Sequence, residues 1–72
     1  METYTIQWTP DCGGRPALVA TDDCGEDMLI VEHDEPITAA TDSSTIVEYF
    51  CWPRHISAID HDGEYIHVTL AD

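Results

Sequence analysis

The apolar residues of this chain fall in short runs separated by turn residues. Residues 3–9 (TYTIQWT) alternate Tyr4, Ile6 and Trp8 with polar residues, which is the period of two expected of a strand with one buried face. Residues 64–70 (EYIHVTL) alternate in the same way. Both segments are therefore predicted to be β-strands that bury one face.

Two further apolar runs predict a hairpin in the first half of the chain. Residues 16–21 (PALVAT) and 27–33 (DMLIVEH) are too short for convincing helices, and the polar residues 22–26 between them suit a tight connection. Upstream, a turn cluster that contains Gly13 and Gly14 predicts a reversal of the chain, because Gly tolerates backbone angles that other residues resist.

Residues 45–52 (TIVEYFCW) carry conflicting signals. Thr45 and Glu48 match a capping box, and Pro53 could end a helix. Nearly every residue of the segment is β-branched or aromatic, however, and such side chains fit a pleated sheet better than a helix, where their χ1 freedom is lost. We therefore expect a strand here, with a helix as the alternative.

The last third of the chain predicts a second hairpin. Residues 55–60 (HISAID) are predicted to be a strand, and the tight-turn signal His61-Asp62-Gly63 leads from it into residues 64–70. Between the two halves, residues 34–44 have no period and form the longest predicted loop.

Six short strands in succession predict one domain, residues 1–72, of the all-β class. We expect a small barrel or sandwich of about five to six short antiparallel strands, because closure removes exposed strand edges. The alternative is an α+β fold with one helix near residues 44–52. A strand left at an edge, such as residues 3–9, could pair with its copy, and a homodimer is therefore one expected form.

Net charge changes this picture more than any motif does. The chain has 15 Asp and Glu, two Arg and no Lys, which gives a formal net charge of -13 on 72 residues. The net charge of a small soluble domain is usually about 2 to 8 in magnitude. Its 43% hydrophobic content still predicts a folded core. Repulsion between so many carboxylates destabilises a compact chain. We therefore expect either that the carboxylates bind a basic partner, or that the protein is adapted to high salt, which screens the repulsion.

The same acidity disfavours several classes of partner. Nucleic acid and the anionic face of a membrane are not expected to bind directly. No run approaches the roughly 18 apolar residues of a membrane-spanning helix. The chain begins at Met1 without a charged and apolar leader and has three cysteines, an odd number, so we expect a cytoplasmic protein with reduced thiols.

Cys and His residues are the candidate metal ligands. Only Cys51 with His55, and His61 with His67, approach the paired short spacings of a structural zinc site, and the chain has no C-x-x-C motif. If residues 45–52 are a strand, Cys51 and His55 lie on either side of a proline bend. We therefore expect buried thiols and surface imidazoles, and neither a metal site nor another cofactor.

Catalytic patterns are equally weak. Cys51, His55 and Asp60 supply the residue types of a nucleophile, a base and an orienting group, but their spacing gives no geometry, and so small a domain offers little concave surface. The pair Gly13-Gly14 lacks the Lys and the strand-to-helix context of a phosphate loop. The expected function is therefore not enzymatic.

Clustered carboxylates remain as the candidate binding residues. Rows of carboxylates can occupy a groove that holds duplex DNA, which has one charge per about 1.7 Å of axis. The predicted function is a non-enzymatic inhibitor that mimics nucleic-acid charge and binds the basic surface of a nucleic-acid-binding protein or complex. The alternative is a halophile-adapted structural or interaction module. The candidate partner-binding residues are Asp22, Asp23, Glu26, Asp27, Glu32, Asp34, Glu35, Asp60, Asp62 and Glu64.

The two ends of the chain resemble a known family. Residues 9–14 (TPDCGG) and 62–68 (DGEYIHV) are similar to the corresponding ends of one family of small acidic anti-CRISPR proteins, of nearly this length, that inhibit type I-F surveillance complexes. This resemblance implies a phage or mobile-element protein that occupies the DNA site of a CRISPR complex in the host cytoplasm. Residues 55–68 also look like a hairpin of LytTR-type DNA-binding domains, but the lack of basic residues argues against that function.

Overall fold

A computed structural model describes residues 2–52 and 54–71, which form one antiparallel sheet with a short helix on one face. The elements, in chain order, are β1 (Glu2–Cys12), β2 (Arg15–Asp22), β3 (Met28–Glu32), α1 (Ser43–Glu48), β4 (Ile56–Asp62) and β5 (Tyr65–Leu70). The strands lie in the order β3-β2-β1-β5-β4, and all four neighbouring pairs are antiparallel. The predicted fold class is confirmed, because the described residues form one antiparallel sheet of five strands with one short helix, which is consistent with the all-β prediction and with its α+β alternative.

The turn between β1 and β2 follows from two glycines. Gly13 and Gly14 have φ angles of 66° and 88°, and the flanking residues Cys12 and Arg15 pair with each other. Positive φ at both central residues gives a turn whose twist matches that of the strands it joins. Strand β1 continues past its predicted end because an irregularity in the pairing with β2, between Thr9 and Cys12, accommodates Pro10, which has no N–H to donate.

The strand predicted for residues 45–52 is wrong, because this segment begins as helix α1. Its N-cap is Asp42, whose Oδ1 accepts a hydrogen bond from the Ser44 backbone N–H at 3.1 Å and whose Oδ2 accepts one from the Thr45 hydroxyl at 2.9 Å. Ile46 and Val47 are buried against the sheet. Packing on the apolar face of the sheet therefore outweighs the β propensity of these side chains.

One face of the sheet and one side of α1 enclose a single thin core. Residues of β1, β2, β5, the loop before α1 and the helix segment contribute to it, and four aromatic or aliphatic side chains pack around its edge. The opposite face of the sheet is covered by no element of the described chain. The buried core residues are Tyr4, Ile6, Leu18, Ala20, Ile37, Ile46, Val47, Phe50, Ile66, Val68 and Leu70.

The edge strands of the sheet are not the ones that the sequence predicted. Residues 3–9 were the predicted example of an edge strand, and this is wrong, because β1 lies at the centre of the sheet between β2 and β5. The edges are β3 and β4, which do not pair with each other, so the sheet is open and α1 rather than closure covers its apolar face. The homodimer stays a prediction, and pairing through a strand edge would now involve β3 or β4.

The segment between β3 and α1 contains neither helix nor strand, so the loop predicted for residues 34–44 is confirmed except at Ser43 and Ser44, which begin α1. The bend predicted at Pro53 lies outside the described residues. Within residues 2–52 and 54–71, no helix has the length and apolar character needed to cross a bilayer.

Candidate protein-binding surface

Four of the predicted binding residues, Asp22, Asp23, Glu26 and Asp27, meet at the turn between β2 and β3, and we call them the hairpin cluster. The turn is held by the Asp22 N–H, which donates to the Asp27 carbonyl at 3.1 Å, and by the Asp22 side chain, which accepts from the Glu26 N–H at 2.8 Å. Asp22 is half-buried and the other three are exposed. Asp22 therefore shapes the turn, while the side chains of Asp23 and Glu26 have no hydrogen bond within the described residues and can meet a partner.

Tyr4 connects the hairpin cluster to the core. Its side chain is 2% exposed, and its hydroxyl donates a hydrogen bond of 2.7 Å to Oδ2 of Asp27. This hydrogen bond, followed by burial and by the negative charges of Asp27, Glu2 and Asp22, raises the pKa of Tyr4 to about 12. The hydroxyl therefore stays protonated at neutral pH and holds the position of Asp27.

Glu32, Asp34 and Glu35 lie at the opposite end of β3. Glu32 ends that strand, five residues after Asp27, which corresponds to about 17 Å along an extended chain. Its carboxylate accepts a hydrogen bond from Arg15 Nη1 at 2.9 Å, and both side chains are well exposed, so this pair contributes little to stability. Glu32 is therefore neutralised within the chain, whereas Asp34 and Glu35 are exposed in the loop that follows.

Asp60, Asp62 and Glu64 belong to the hairpin of β4 and β5. Asp60 was expected to line the turn, but it lies inside β4 opposite His67, and Asp62 lies opposite Tyr65. Their side chains are on the uncovered face, because Tyr65 and His67 alternate with the buried residues of β5. Strand β4 is four strand spacings from β3, or about 19 Å.

The ten predicted residues thus form no single patch. They occupy three corners of the sheet: the hairpin cluster at one end of β3, Glu32 with Asp34 and Glu35 at its other end, and the β4–β5 hairpin on the far edge. The geometry suits a partner that contacts the domain at separate points, and it does not suit a compact site for one small ligand.

Apolar side chains lie beside the hairpin cluster. Met28 and Ile30 of β3 are 55% and 53% exposed, and both are on the uncovered face, where Ile30 pairs with Val19. Apolar residues next to charged ones are typical of protein interfaces, where the apolar groups supply affinity and the charges supply steering. The sequence did not predict that Met28 and Ile30 are exposed, because a continuous apolar run such as residues 28–31 is also typical of a fully buried strand.

A cavity of about 520 Å³, largely open to solvent, lies between the loop of residues 33–42 and helix α1. No pattern in the sequence predicted it. Glu35 and Asp42 contribute carboxylates to its lining, and His33 and Tyr49 contribute rings. A smaller cavity of about 210 Å³ adjoins it, since Pro36 lines both, and this second cavity includes Glu64. The loop after β3 therefore brings Pro36 and Ile37 to the same cavity as Glu64 of the β4–β5 turn.

The residues weighed for chemistry are not assembled into a site. Cys12, Cys24 and Cys51 are free thiols, and the expectation that they are buried is wrong, because Cys24 and Cys51 are exposed and Cys12 is half-buried. No group of three or more potential metal ligands occurs in the described part of the chain. Asp60 lies four residues beyond the start of β4 at Ile56, about 13 Å along the strand, so it does not orient His55. The absence of an enzymatic activity and of a metal stays a prediction.

Comparisons with known proteins assign the chain to no family. No protein-family model, no curated protein and no solved structure matches it. The resemblance of the chain ends to anti-CRISPR proteins stays a prediction, and the function has to be argued from charge and geometry.

Proposed function

We propose that this chain is a non-enzymatic acidic protein that binds the basic nucleic-acid-binding surface of a protein or complex in place of the nucleic acid. The observation that carries the proposal is the net charge of -13, which remains after both arginines are counted. Arg15 and Arg54 already contact Glu32 and Glu2, at 2.9 and 2.6 Å. Apart from the half-buried Asp22, every described Asp and Glu is exposed.

The dimensions of the domain support this proposal. Its Cα atoms extend over 34 × 27 × 18 Å, and the longest dimension is close to one turn of duplex DNA, about 34 Å. Carboxylates at three corners of such a body would meet cations on both sides of a groove that holds a duplex. Positive side chains that normally contact phosphates would form charge-assisted hydrogen bonds with them.

The specific partner that we propose is a CRISPR type I-F surveillance complex or another bacterial defence complex. This narrower statement is supported by the resemblance of residues 9–14 and 62–68 alone, whereas the charge supports any protein with a basic nucleic-acid groove. The proposal places the chain in the cytoplasm of the cell that contains such a complex, and it requires no cofactor.

A displacement assay tests the proposal directly. A fluorescent target duplex is bound to a purified type I-F surveillance complex, the chain is added, and loss of fluorescence anisotropy measures release of the duplex. We expect release, and we expect potency to fall as salt rises, because exposed charge pairs are screened. If the duplex stays bound at low salt with the chain in excess, this partner is excluded.

A pair of charge-matched variants separates a specific surface from net charge. Asp23 and Glu26 are exposed, and neither side chain forms a hydrogen bond within the described residues, so Asp23→Asn with Glu26→Gln leaves the fold intact. The control, Asp11→Asn with Glu48→Gln, removes the same charge outside the ten candidate residues. Asp11 Oδ1 accepts a hydrogen bond from the Gly14 N–H at 2.8 Å, and the amide oxygen introduced by Asp11→Asn can still accept it. We expect the first variant to inhibit at least about tenfold more weakly, or about 1.4 kcal/mol, and the control to change less than about twofold. Equal losses would remove the hairpin cluster from the proposal.

The halophile alternative predicts a different dependence on salt. The electrostatic screening length is about 8 Å at 0.15 M salt and about 3 Å at 1 M. A halophile-adapted chain, whose carboxylates repel one another without this screening, should therefore fold only at molar salt. Urea unfolding followed by circular dichroism at 0.15 M and 2 M NaCl distinguishes the two. A cooperative transition at 0.15 M supports the binding function, and its absence there supports the alternative.

A further inference from the structure

We propose that the cavity between the loop of residues 33–42 and helix α1 receives an arginine side chain of the partner protein. This inference rests on the proposed function, since it names the group of the partner that the acidic domain would hold. The surface carboxylates described above would steer the partner, and this cavity would give one of its cations a defined place.

The cavity has the size and the walls of a binding site. Its volume of about 520 Å³ is within the range of about 300–1,000 Å³ found for ligand pockets. Tyr49, at the C-cap of α1, lines it with a side chain that is 47% exposed, and its ring lies 5.5 Å from the ring of His33. The buried Ile46 contributes to the apolar part of the lining.

The loop that forms the other wall is held in place by hydrogen bonds. At its start, the Trp8 indole N–H donates to the His33 carbonyl at 2.9 Å, and the His33 N–H donates to the Pro16 carbonyl at 3.2 Å. Further along, the Thr38 N–H donates to the Thr41 hydroxyl at 2.9 Å, and the Thr41 N–H donates back to the Thr38 carbonyl at 3.1 Å. The cavity therefore exists before a partner arrives, which lowers the entropic cost of binding.

The polar lining selects a cation. Glu35 is exposed, and its carboxylate has neither a hydrogen bond nor an ion pair within the described residues. Asp42 already accepts the two hydrogen bonds of the helix N-cap, but a carboxylate has about four lone-pair sites and can accept more. Neither Arg15 nor Arg54 lines the cavity. A phosphate or carboxylate ligand would be repelled, whereas a cation has one unused carboxylate and a second with spare capacity.

Among cations, the combination of ring and carboxylate favours guanidinium over ammonium. The planar guanidinium group stacks on an aromatic face and donates two parallel hydrogen bonds to a carboxylate, while a lysine ammonium is a compact and strongly hydrated point charge. The exposed ring of Tyr49 supplies the stacking surface, and Glu35 supplies the acceptor. Arginine is also the residue that most often contacts phosphates and guanine in nucleic-acid grooves, so it fits the proposed partner.

Titration with a single amino-acid side chain tests the cavity without the partner. N-acetylarginine N-methylamide is added to ¹⁵N-labelled protein, and backbone amide shifts are followed by NMR, with N-acetyllysine N-methylamide as the matched probe. We expect saturable shifts at Thr38, Thr45 and Tyr49, and binding of the arginine probe at least threefold tighter than binding of the lysine probe. Equal affinity for the two probes, or shifts confined to the hairpin cluster, would overturn the inference.

Variants assign the binding to the two residues that carry the argument. Glu35→Gln and Tyr49→Leu are each expected to weaken the arginine probe at least fivefold. The controls are Asp34→Asn, which removes the same charge one residue away, and Tyr65→Leu, which removes an exposed ring outside this cavity. The controls are expected to change affinity less than twofold, and equal effects of Glu35→Gln and Asp34→Asn would refute a defined site.

The displacement assay separates this inference from the proposed function. If the arginine probe binds and the chain fails to release the duplex, the proposed function fails while the guanidinium site stands. If the chain releases the duplex but neither Glu35→Gln nor Tyr49→Leu weakens this release, the partner does not use the cavity, and the inference is wrong. We expect both variants to weaken release of the duplex at least threefold. Glu48→Gln, which removes one charge outside both the cavity and the ten candidate residues, should stay near the parent value.

Discussion

Replacing Tyr4 by Phe removes a single oxygen atom, and with it the hydrogen bond that ties the core to the hairpin cluster. The ring stays in place: it is buried, and it packs against the ring of Trp52 with the centroids 5.2 Å apart. A hydrogen bond to a charged acceptor contributes about 1.5–3 kcal/mol when both groups are shielded. Because Asp27 is exposed and water can replace the lost donor, we expect a loss near the lower limit, about 1–1.5 kcal/mol.

A loss of this size is readily measured in a small domain. For 72 residues, each kcal/mol corresponds to a decrease of roughly 4–8 °C in the melting temperature. Urea unfolding at pH 7, followed by circular dichroism, gives the free energy of unfolding for both proteins. Tyr65→Phe is the control, because Tyr65 is 42% exposed and its hydroxyl has no hydrogen bond within the described residues. It is expected to change the free energy of unfolding by less than about 0.5 kcal/mol, as surface substitutions usually do.

Dependence on pH gives a second and independent signature. The pKa of Tyr4 is raised from 10.0 to about 12, so folding favours the protonated hydroxyl. Its contribution to stability is complete below pH 10 and is lost as the pH rises towards 12, where the tyrosinate would repel Asp27. The difference between the parent protein and Tyr4→Phe should therefore be constant from pH 7 to pH 9 and should decrease at pH 11.

A double-mutant cycle with Asp27→Ala, which removes the acceptor altogether, isolates the pair from the general relief of repulsion that removal of any carboxylate brings. We expect a coupling energy of about 1 kcal/mol between the two positions. If Tyr4→Phe is as stable as the parent within about 0.3 kcal/mol at pH 7, or if the coupling is zero, the hydrogen bond does not hold the hairpin cluster to the core, and this reasoning is refuted.

Two further predictions concern the wall of the cavity. Asp42→Ala should lower the free energy of unfolding by about 1 kcal/mol in thermal melts because the helix loses its N-cap, while Glu48→Ala on the same helix should have little effect; equal losses would contradict the capping role. Trp8→Phe should speed amide hydrogen exchange in residues 33–42, because the bond to the His33 carbonyl is lost; unchanged exchange would show that this bond does not hold the loop.

Local signals were enough for most of the strands and turns. The alternation in residues 3–9 and 64–70 places β1 and β5 within a few residues of their observed bounds, because a sheet with one buried face imposes a period of two. Gly13-Gly14 and Gly63 mark two of the hairpin turns through their positive φ angles. Each of these features depends on a few neighbouring residues, so it can be read without knowing the rest of the fold.

Residues 45–52 show where local signals fail. Nearby residues supported both a helix and a strand, and the sum of β propensities favoured the strand, which is wrong. The helix is stabilised by Ile46, Val47 and Phe50, which are buried against strands distant in sequence. Propensity differences amount to a few tenths of a kcal/mol per residue, whereas burial of one such side chain contributes about 1.5–3 kcal/mol.

The acidic character of the surface and the period of the strands are properties of composition and of neighbouring residues, and they follow from the amino-acid order alone. Strand order, in contrast, depends on residues far apart in the sequence. Strand β1 is central only because β5, about sixty residues further along, pairs with it, with Glu2 opposite Leu70. That pairing separates the carboxylates into three corners of the sheet. The cavity beside Tyr49 likewise depends on packing between segments that no local pattern connects, since long-range contacts set where each side chain meets the others.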